Sequence, residues 1–72
     1  MLPTAATDLL AADIDAADTH ASAGNVDAGY QTLAEGLRRA EDPRFADEPW
    51  TPELRRRYRE AIERYARTHG LP

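Results

Sequence analysis

The sequence contains no cysteine, and it has few of the other side chains from which active sites are built. Without cysteine there is no disulfide, no thiolate zinc site and no cysteine nucleophile. The histidines are His20 and His69, and the single serine, Ser22, lies outside any nucleophile motif such as G-x-S-x-G. The sequence therefore predicts a protein that is not an enzyme and that uses neither a cofactor nor a metal.

Lysine and long apolar runs are absent as well. No segment approaches the roughly 20 apolar residues of a membrane span, and the first residues lack the basic and apolar regions of a secretory signal. We therefore expect a cytoplasmic protein that does not enter membranes. All 9 basic residues are arginine and alanine is abundant, a composition typical of GC-rich genomes, which favours a bacterial source.

Positive charge is in deficit, since the chain has a formal net charge of -4 and a pI near 5.0. Proteins that neutralise a phosphate backbone usually carry an excess of lysine and arginine. The balance therefore favours a protein partner, or a second copy of the chain, over nucleic acid.

Three segments place apolar residues at the three- and four-residue spacing of an amphipathic helix, and none alternates as a strand does. Because only Gly24 and Asn25 separate the first two segments, these should form an antiparallel hairpin. The sequence thus predicts an all-α domain in which a third helix packs across a helical hairpin. The predicted boundaries are 4–23, 26–41 and 52–69 for the helices and 42–50 for the linker, all within a single domain, 1–72.

The residues at the predicted helix ends agree with these boundaries. Asn25 suits the N-cap of the second helix, while Thr51 as N-cap and Pro52 at the first helical position suit the start of the third. Gly70 suits a left-handed cap after the third helix, closed by a hydrophobic contact from Leu71.

Gly29 and Gly36 lie seven residues apart inside the second predicted helix. A glycine there costs about 1 kcal/mol relative to alanine, so a packing seam is the better explanation. We expect both glycines to face a neighbouring helix, with the first helix as the expected neighbour through Ala17 and Ala21.

Residues 10–43 also resemble a single tetratricopeptide-type helical hairpin. The sequence differs from the family pattern at Asp13 and His20, where the family prefers tryptophan and tyrosine, and the closing proline is displaced to Pro43. The resemblance implies an antiparallel helix pair. It rests on Ala17, Gly29 and Gly36 at small-residue positions, Gly24 at the turn and Leu33 at a bulky position.

The third predicted helix carries six arginines, whereas the first carries four aspartates and neither lysine nor arginine. Such asymmetry favours an alignment of these helices within one subunit or between two. Within the third helix, acids precede arginines by four residues, which favours ion pairs along the helix. The predicted pairs are Glu53 with Arg57, Glu60 with Arg64, and Glu63 with Arg67.

Phe45 and Trp50 are expected to pin the linker, because a solvated linker would not normally contain two aromatic residues. Trp50 can pack on the first turn of the third helix, or it can be an exposed anchor for a partner. Leu9 points about 100° away from Leu10 on the first helix, so the two leucines cannot share one interface.

The interpretation is a non-catalytic protein-protein interaction module or small bacterial adaptor, which binds through the Ala/Gly-rich face of the hairpin and can form a homodimer. The alternative is a small nucleic-acid-associated regulator that uses the arginine face of the third helix. The candidate partner-binding residues are Leu9, Trp50, Arg56, Arg59, Tyr65 and Arg67, with Leu9 and Tyr65 near the dimer interface.

Overall fold

The computed structural model describes residues 1–42, 44 and 47–72. They form three helices, α1 (Thr4–Ser22), α2 (Val26–Glu41) and α3 (Thr51–His69), with no strand in these ranges. The α1–α2 hairpin is the most closely packed pair, and α3 packs across it mainly on α2. The predicted all-α fold is confirmed. None of the helices described is both long and apolar enough to cross a membrane.

The predicted caps at Asn25 and Gly70 are formed. The Asn25 side chain accepts a hydrogen bond from the Ala28 N–H at 3.3 Å. Gly24 and Gly70 adopt positive φ angles of 84° and 69°, which favour glycine because it has no Cβ. After Gly70, the Leu71 N–H donates to the Ala66 carbonyl at 2.8 Å, and the leucine side chain packs on the core.

The start of α3 differs from the prediction by one residue. Trp50 is the N-cap residue and makes no side-chain cap bond, whereas Thr51 is the first helical residue. Thr51 instead exchanges two hydrogen bonds with the preceding turn. Its hydroxyl accepts from the Glu48 N–H at 3.2 Å, and its own N–H donates to the Glu48 carbonyl at 3.0 Å. The threonine therefore closes the linker rather than capping the helix amides.

The core is divided into two clusters along the bundle. Trp50 packs against the first, which we call the Trp50 cluster, so its predicted burial at the start of α3 is confirmed. The other predicted linker anchor, Phe45, lies outside the described residues. The Trp50 cluster is built on Ala6, Ala40, Leu54 and Tyr58, and the second, the Leu33 cluster, on Ala17, Leu33 and Tyr65.

Both glycines of α2 are buried, but the residues that cover them are mainly tyrosines of α3. A Cβ at Gly29 would lie 2.8 Å from Cζ of Tyr65 and 2.7 Å from the carbonyl oxygen of Ala17. A Cβ at Gly36 would lie 2.9 Å from Cζ of Tyr58. The predicted packing seam is therefore confirmed, and α1 is a neighbour as expected, through Ala17 at Gly29 and Asp13 at Gly36. The tyrosines of α3 on the same seam were not predicted, and only a glycine leaves room for each ring.

Candidate interaction surfaces

The structure does not bring the six candidate residues together at one place. Leu9 is exposed and Trp50 is mostly buried, and both line a groove at one end of the bundle. Tyr65 is enclosed in the Leu33 cluster, with 5% of its surface exposed. The remaining candidates, Arg56, Arg59 and Arg67, are exposed on α3.

Tyr65 is a structural residue within the chain, and its predicted place near an interface stays a prediction. Its hydroxyl donates to the Val26 carbonyl at 2.6 Å, and its ring centroid lies 4.4 Å from that of His69. Burial raises the pKa of the Tyr65 hydroxyl. Because Gly29 opens a space for this ring inside the chain, the tyrosine offers little surface to a partner.

The Ala/Gly-rich face of the hairpin, the predicted binding face, is covered in part, because its two glycines lie against tyrosines of α3. An open groove lies beside it, where the three helices meet, and encloses about 280 Å³. Its rim carries Leu9, which is 44% exposed and is the one large apolar side chain besides Met1 that stands so far out among the described residues. We call this feature the apolar groove. It is lined by Ala5, Ala6 and Leu9 of α1, Gly36, Arg39 and Ala40 of α2, and Trp50, Leu54 and Tyr58.

A polar network fixes one side of the apolar groove. The Tyr58 hydroxyl donates to Oδ2 of Asp13 at 2.6 Å, and the Arg39 guanidinium donates to the same oxygen at 3.1 Å. Burial, followed by the Asp13 hydrogen bond, raises the pKa of Tyr58 well above its ordinary value. The network joins all three helices and holds the Arg39 guanidinium beside the apolar groove.

This role of Asp13 was not predicted, because in the sequence Asp13 stands out only with His20, as a departure from the tetratricopeptide-type pattern. His20 is exposed, and the described residues contain no group of three or more metal-ligating side chains. The signal that could have identified Asp13 is an acid on the edge of the buried stripe of α1, facing a helix with a glycine seam. Its side chain is only 14% exposed.

The arginines of α3 do not make the predicted ion pairs. Arg56 lies 3.5 Å from Glu53 and 2.6 Å from Glu60, and Arg59 reaches Glu41 of α2 at 2.9 Å. An arginine side chain is long enough to reach several acids. Arg56 and Arg59 pair with acids that the spacing in the sequence did not predict. Among the described residues the structure forms none of the predicted pairs Glu53–Arg57, Glu60–Arg64 and Glu63–Arg67.

Arg55 has a different role, which the sequence analysis did not anticipate. Its Nε donates to the Ala40 carbonyl at 2.8 Å, and its Nη2 donates to the Glu41 carbonyl at 3.4 Å. These carbonyls lie at the C-terminal end of α2, where a cation is favoured by the helix dipole. Arg55 thus binds α3 to the end of the hairpin.

Two further openings lie between α1 and α3, the two helices that contact each other least, and we call them together the α1–α3 furrow. Leu10 and Arg57 line one opening, and Ile14 and Arg64 line the other. Within the described part of the chain, no ion pair joins an aspartate of α1 to an arginine of α3. The predicted attraction between these helices is therefore not satisfied inside the chain.

Comparison with protein-family models, with curated proteins and with solved structures gave no significant match. The tetratricopeptide-like resemblance of residues 10–43 stays a prediction. The chemistry of the apolar groove and of the α1–α3 furrow is therefore the basis on which a function can be proposed.

Proposed function

We propose that the chain is a non-catalytic protein-interaction module, a small adaptor of the bacterial cytoplasm, whose partner inserts an apolar side chain into the apolar groove. The observation that carries the proposal is the 44% exposure of Leu9 on the rim of a groove that Trp50 also lines. An isolated exposed leucine is ordinary on a protein surface. A leucine that shares a concave apolar surface with a tryptophan is a better candidate for a contact.

The size of the groove limits what can bind there. Its volume of about 280 Å³ suits one or two side chains rather than a large ligand. Burying a leucine completely contributes about 1.5 to 3 kcal/mol, so the exposed part of Leu9 can contribute roughly 1 kcal/mol by the same scale.

The test uses Trp50 as a reporter, since it is the single tryptophan of the chain. Peptides are selected from a random displayed library against the protein, and their binding is then followed by Trp50 fluorescence. We expect the selected peptides to share an apolar anchor residue and to shift the Trp50 emission. Leu9→Gln should weaken their binding by about tenfold, corresponding to about 1.4 kcal/mol.

Ala11→Gln is the matched control, because Ala11 is exposed and lies about 200° around α1 from Leu9. It should leave the dissociation constant unchanged. Peptides that bind without moving the Trp50 emission, or that bind Leu9→Gln as tightly as the unmodified protein, would contradict the proposal.

The second candidate, a nucleic-acid-associated regulator, is supported by Arg57, Arg64 and Arg67, which form no ion pair among the described residues. Arg55, Arg56 and Arg59 are engaged within the chain, which leaves half of the arginine face for phosphates. Retention on heparin or DNA at two salt concentrations distinguishes the candidates, because only the regulator should show a steep salt dependence.

A further inference from the structure

Two pairs of like charges share the same spacing on different helices. Asp8 and Asp15 on α1, the acidic pair, are seven residues apart, as are Arg57 and Arg64 on α3, the basic pair. Seven residues are about two helical turns, or roughly 10 Å along the axis. All four side chains are exposed, and none takes part in an ion pair in the ranges described.

The two pairs also occur at the same levels of the bundle. Leu10 of α1 lines the opening of the α1–α3 furrow where Arg57 lies, and Ile14 lines the opening where Arg64 lies. Asp8 is therefore near the level of Arg57, and Asp15 is near the level of Arg64. Both helices run antiparallel to α2 and hence parallel to each other.

We propose that a second copy of the chain packs on this side of the bundle, about a two-fold axis parallel to the helices. This axis sets α1 of one copy beside α3 of the other, running in the same direction. The acidic pair of each copy then meets the basic pair of the other, Asp8 with Arg57 and Asp15 with Arg64. Because the interface is two-fold symmetric, each ion pair forms twice.

The distribution of charge favours this arrangement over packing of like helices, α1 on α1 or α3 on α3. Packing α1 on α1 would oppose the acidic pairs, and packing α3 on α3 would oppose the basic pairs, so both are disfavoured by like-charge repulsion. The partly exposed apolar side chains of Leu10 and Ile14 in the furrow become covered in the proposed dimer. Individual exposed ion pairs contribute little, so assembly should be weak and sensitive to salt.

The inference goes beyond the proposed function, since it concerns a different side of the molecule. Leu9 points about 100° further around α1 than Asp8, and the apolar groove that it lines stays open in each copy. The dimer would therefore present two docking grooves. It also replaces the earlier expectation that Leu9 and Tyr65 lie near the dimer interface.

The test is a charge exchange measured by sedimentation equilibrium at low salt, where the dimer has twice the 8.0 kDa mass of the chain. One variant carries Asp8→Arg with Asp15→Arg, and the other carries Arg57→Asp with Arg64→Asp. Each variant alone should dimerise at least about tenfold more weakly than the unmodified chain. Mixed together, they should form a 1:1 heterodimer, because one set of pairs then forms with reversed sign and the other set is the original one, Asp8 with Arg57 and Asp15 with Arg64.

A matched control carries Asp47→Arg with Glu63→Arg, which makes the same change of charge as the first variant at exposed positions outside both pairs. It should dimerise as the unmodified chain does, and circular dichroism should show that every variant is helical. A monomeric unmodified chain at high protein concentration and low salt overturns the proposal. Variants that each dimerise normally also overturn it, as does a mixture that contains no heterodimer.

Discussion

The two places where a tyrosine of α3 covers a glycine of α2 are alike in shape and different in chemistry. Moving seven residues along α2, from Gly29 to Gly36, moves the contact seven residues back along α3, from Tyr65 to Tyr58. At the first place the hydroxyl donates to the Val26 carbonyl, at 2.6 Å. At the second place it donates to the Asp13 carboxylate, also at 2.6 Å.

The two tyrosine contacts have the same steric fit and differ in the electrostatics of the hydroxyl group. In both cases the missing Cβ makes room for the ring, and only the partner of the hydroxyl changes. Tyr65 uses a backbone group and ties α3 to the start of α2, whereas Tyr58 uses a side chain that also binds Arg39. The Tyr58 contact therefore joins three helices and borders the apolar groove, so its disruption should affect both stability and binding.

Removing the ring at the second place should have the largest effect. Tyr58 is 0% exposed, and truncation of a large buried aromatic side chain costs about 3 to 5 kcal/mol. A small domain often has no more stability than about 3 to 5 kcal/mol, so we expect Tyr58→Ala to be mostly unfolded by circular dichroism. The control is Tyr30→Ala, at a partly exposed position, which should remain folded. A cooperative transition close to that of the unmodified chain would contradict this account.

Substitution of the glycines should have the next largest effect on the free energy of unfolding, and it allows the two places to be compared directly. Glycine to alanine in a helix normally stabilises by about 1 kcal/mol, but here a Cβ collides with the ring, and overpacking costs about 1 to 3 kcal/mol. Gly29→Ala should be the worse variant, because its Cβ also meets the rigid Ala17 carbonyl. The Cβ at Gly36 meets the Asp13 side chain, which can move. Urea unfolding measures both, and a gain in stability at either position would disprove the seam.

Much of the fold was predictable because its signals are local. Asn25 begins α2 and Gly70 ends α3 through their own chemistry, and the spacing of Gly29 and Gly36 predicts a close approach whichever helix is the neighbour. The identity of the neighbour is not local. Nothing near Gly36 in the sequence says that a tyrosine 22 positions later will cover it, which is why α3 was not expected beside α1 on the seam.

The surfaces were less predictable for the same reason. The offset of Leu9 from Leu10 follows from helix geometry alone, and its exposure agrees. The pairing of an arginine depends on which acids the fold brings within its reach, so Arg56 and Arg59 were expected to be available and are engaged. Arg57 and Arg64, which had been assigned to pairs within α3, line the α1–α3 furrow instead.

Removing only the hydroxyl groups should have a smaller effect than removing a ring or filling a glycine. A hydrogen bond to a charged group contributes about 1.5 to 3 kcal/mol, and one between neutral groups about 0.5 to 1.5 kcal/mol. Tyr58→Phe, which leaves a largely buried carboxylate with Arg39 alone, should therefore cost more than Tyr65→Phe. Urea unfolding at neutral pH measures the difference, and equal costs would mean that the charge of Asp13 adds no stability beyond that of a neutral hydrogen bond.

The smallest effect is expected at alkaline pH, and it tests the same contrast. Burial raises the pKa of both tyrosines, and for Tyr58 the Asp13 carboxylate raises it further. Below a pH near 10, which is about the pKa of tyrosine in an unfolded chain, both states are neutral and the folded state keeps this stability. Above it, the unfolded chain loses the proton while the folded chain keeps it, so stability falls by up to about 1.4 kcal/mol per pH unit for each such tyrosine.

Thermal unfolding between pH 8 and about pH 11, which spans the pKa of free tyrosine, should show this loss in the unmodified chain. The loss of stability with rising pH should be smaller in both phenylalanine variants than in the unmodified chain. It should be smallest in Tyr58→Phe. Identical pH profiles for all three proteins would mean that neither hydroxyl is held in its neutral form by the fold.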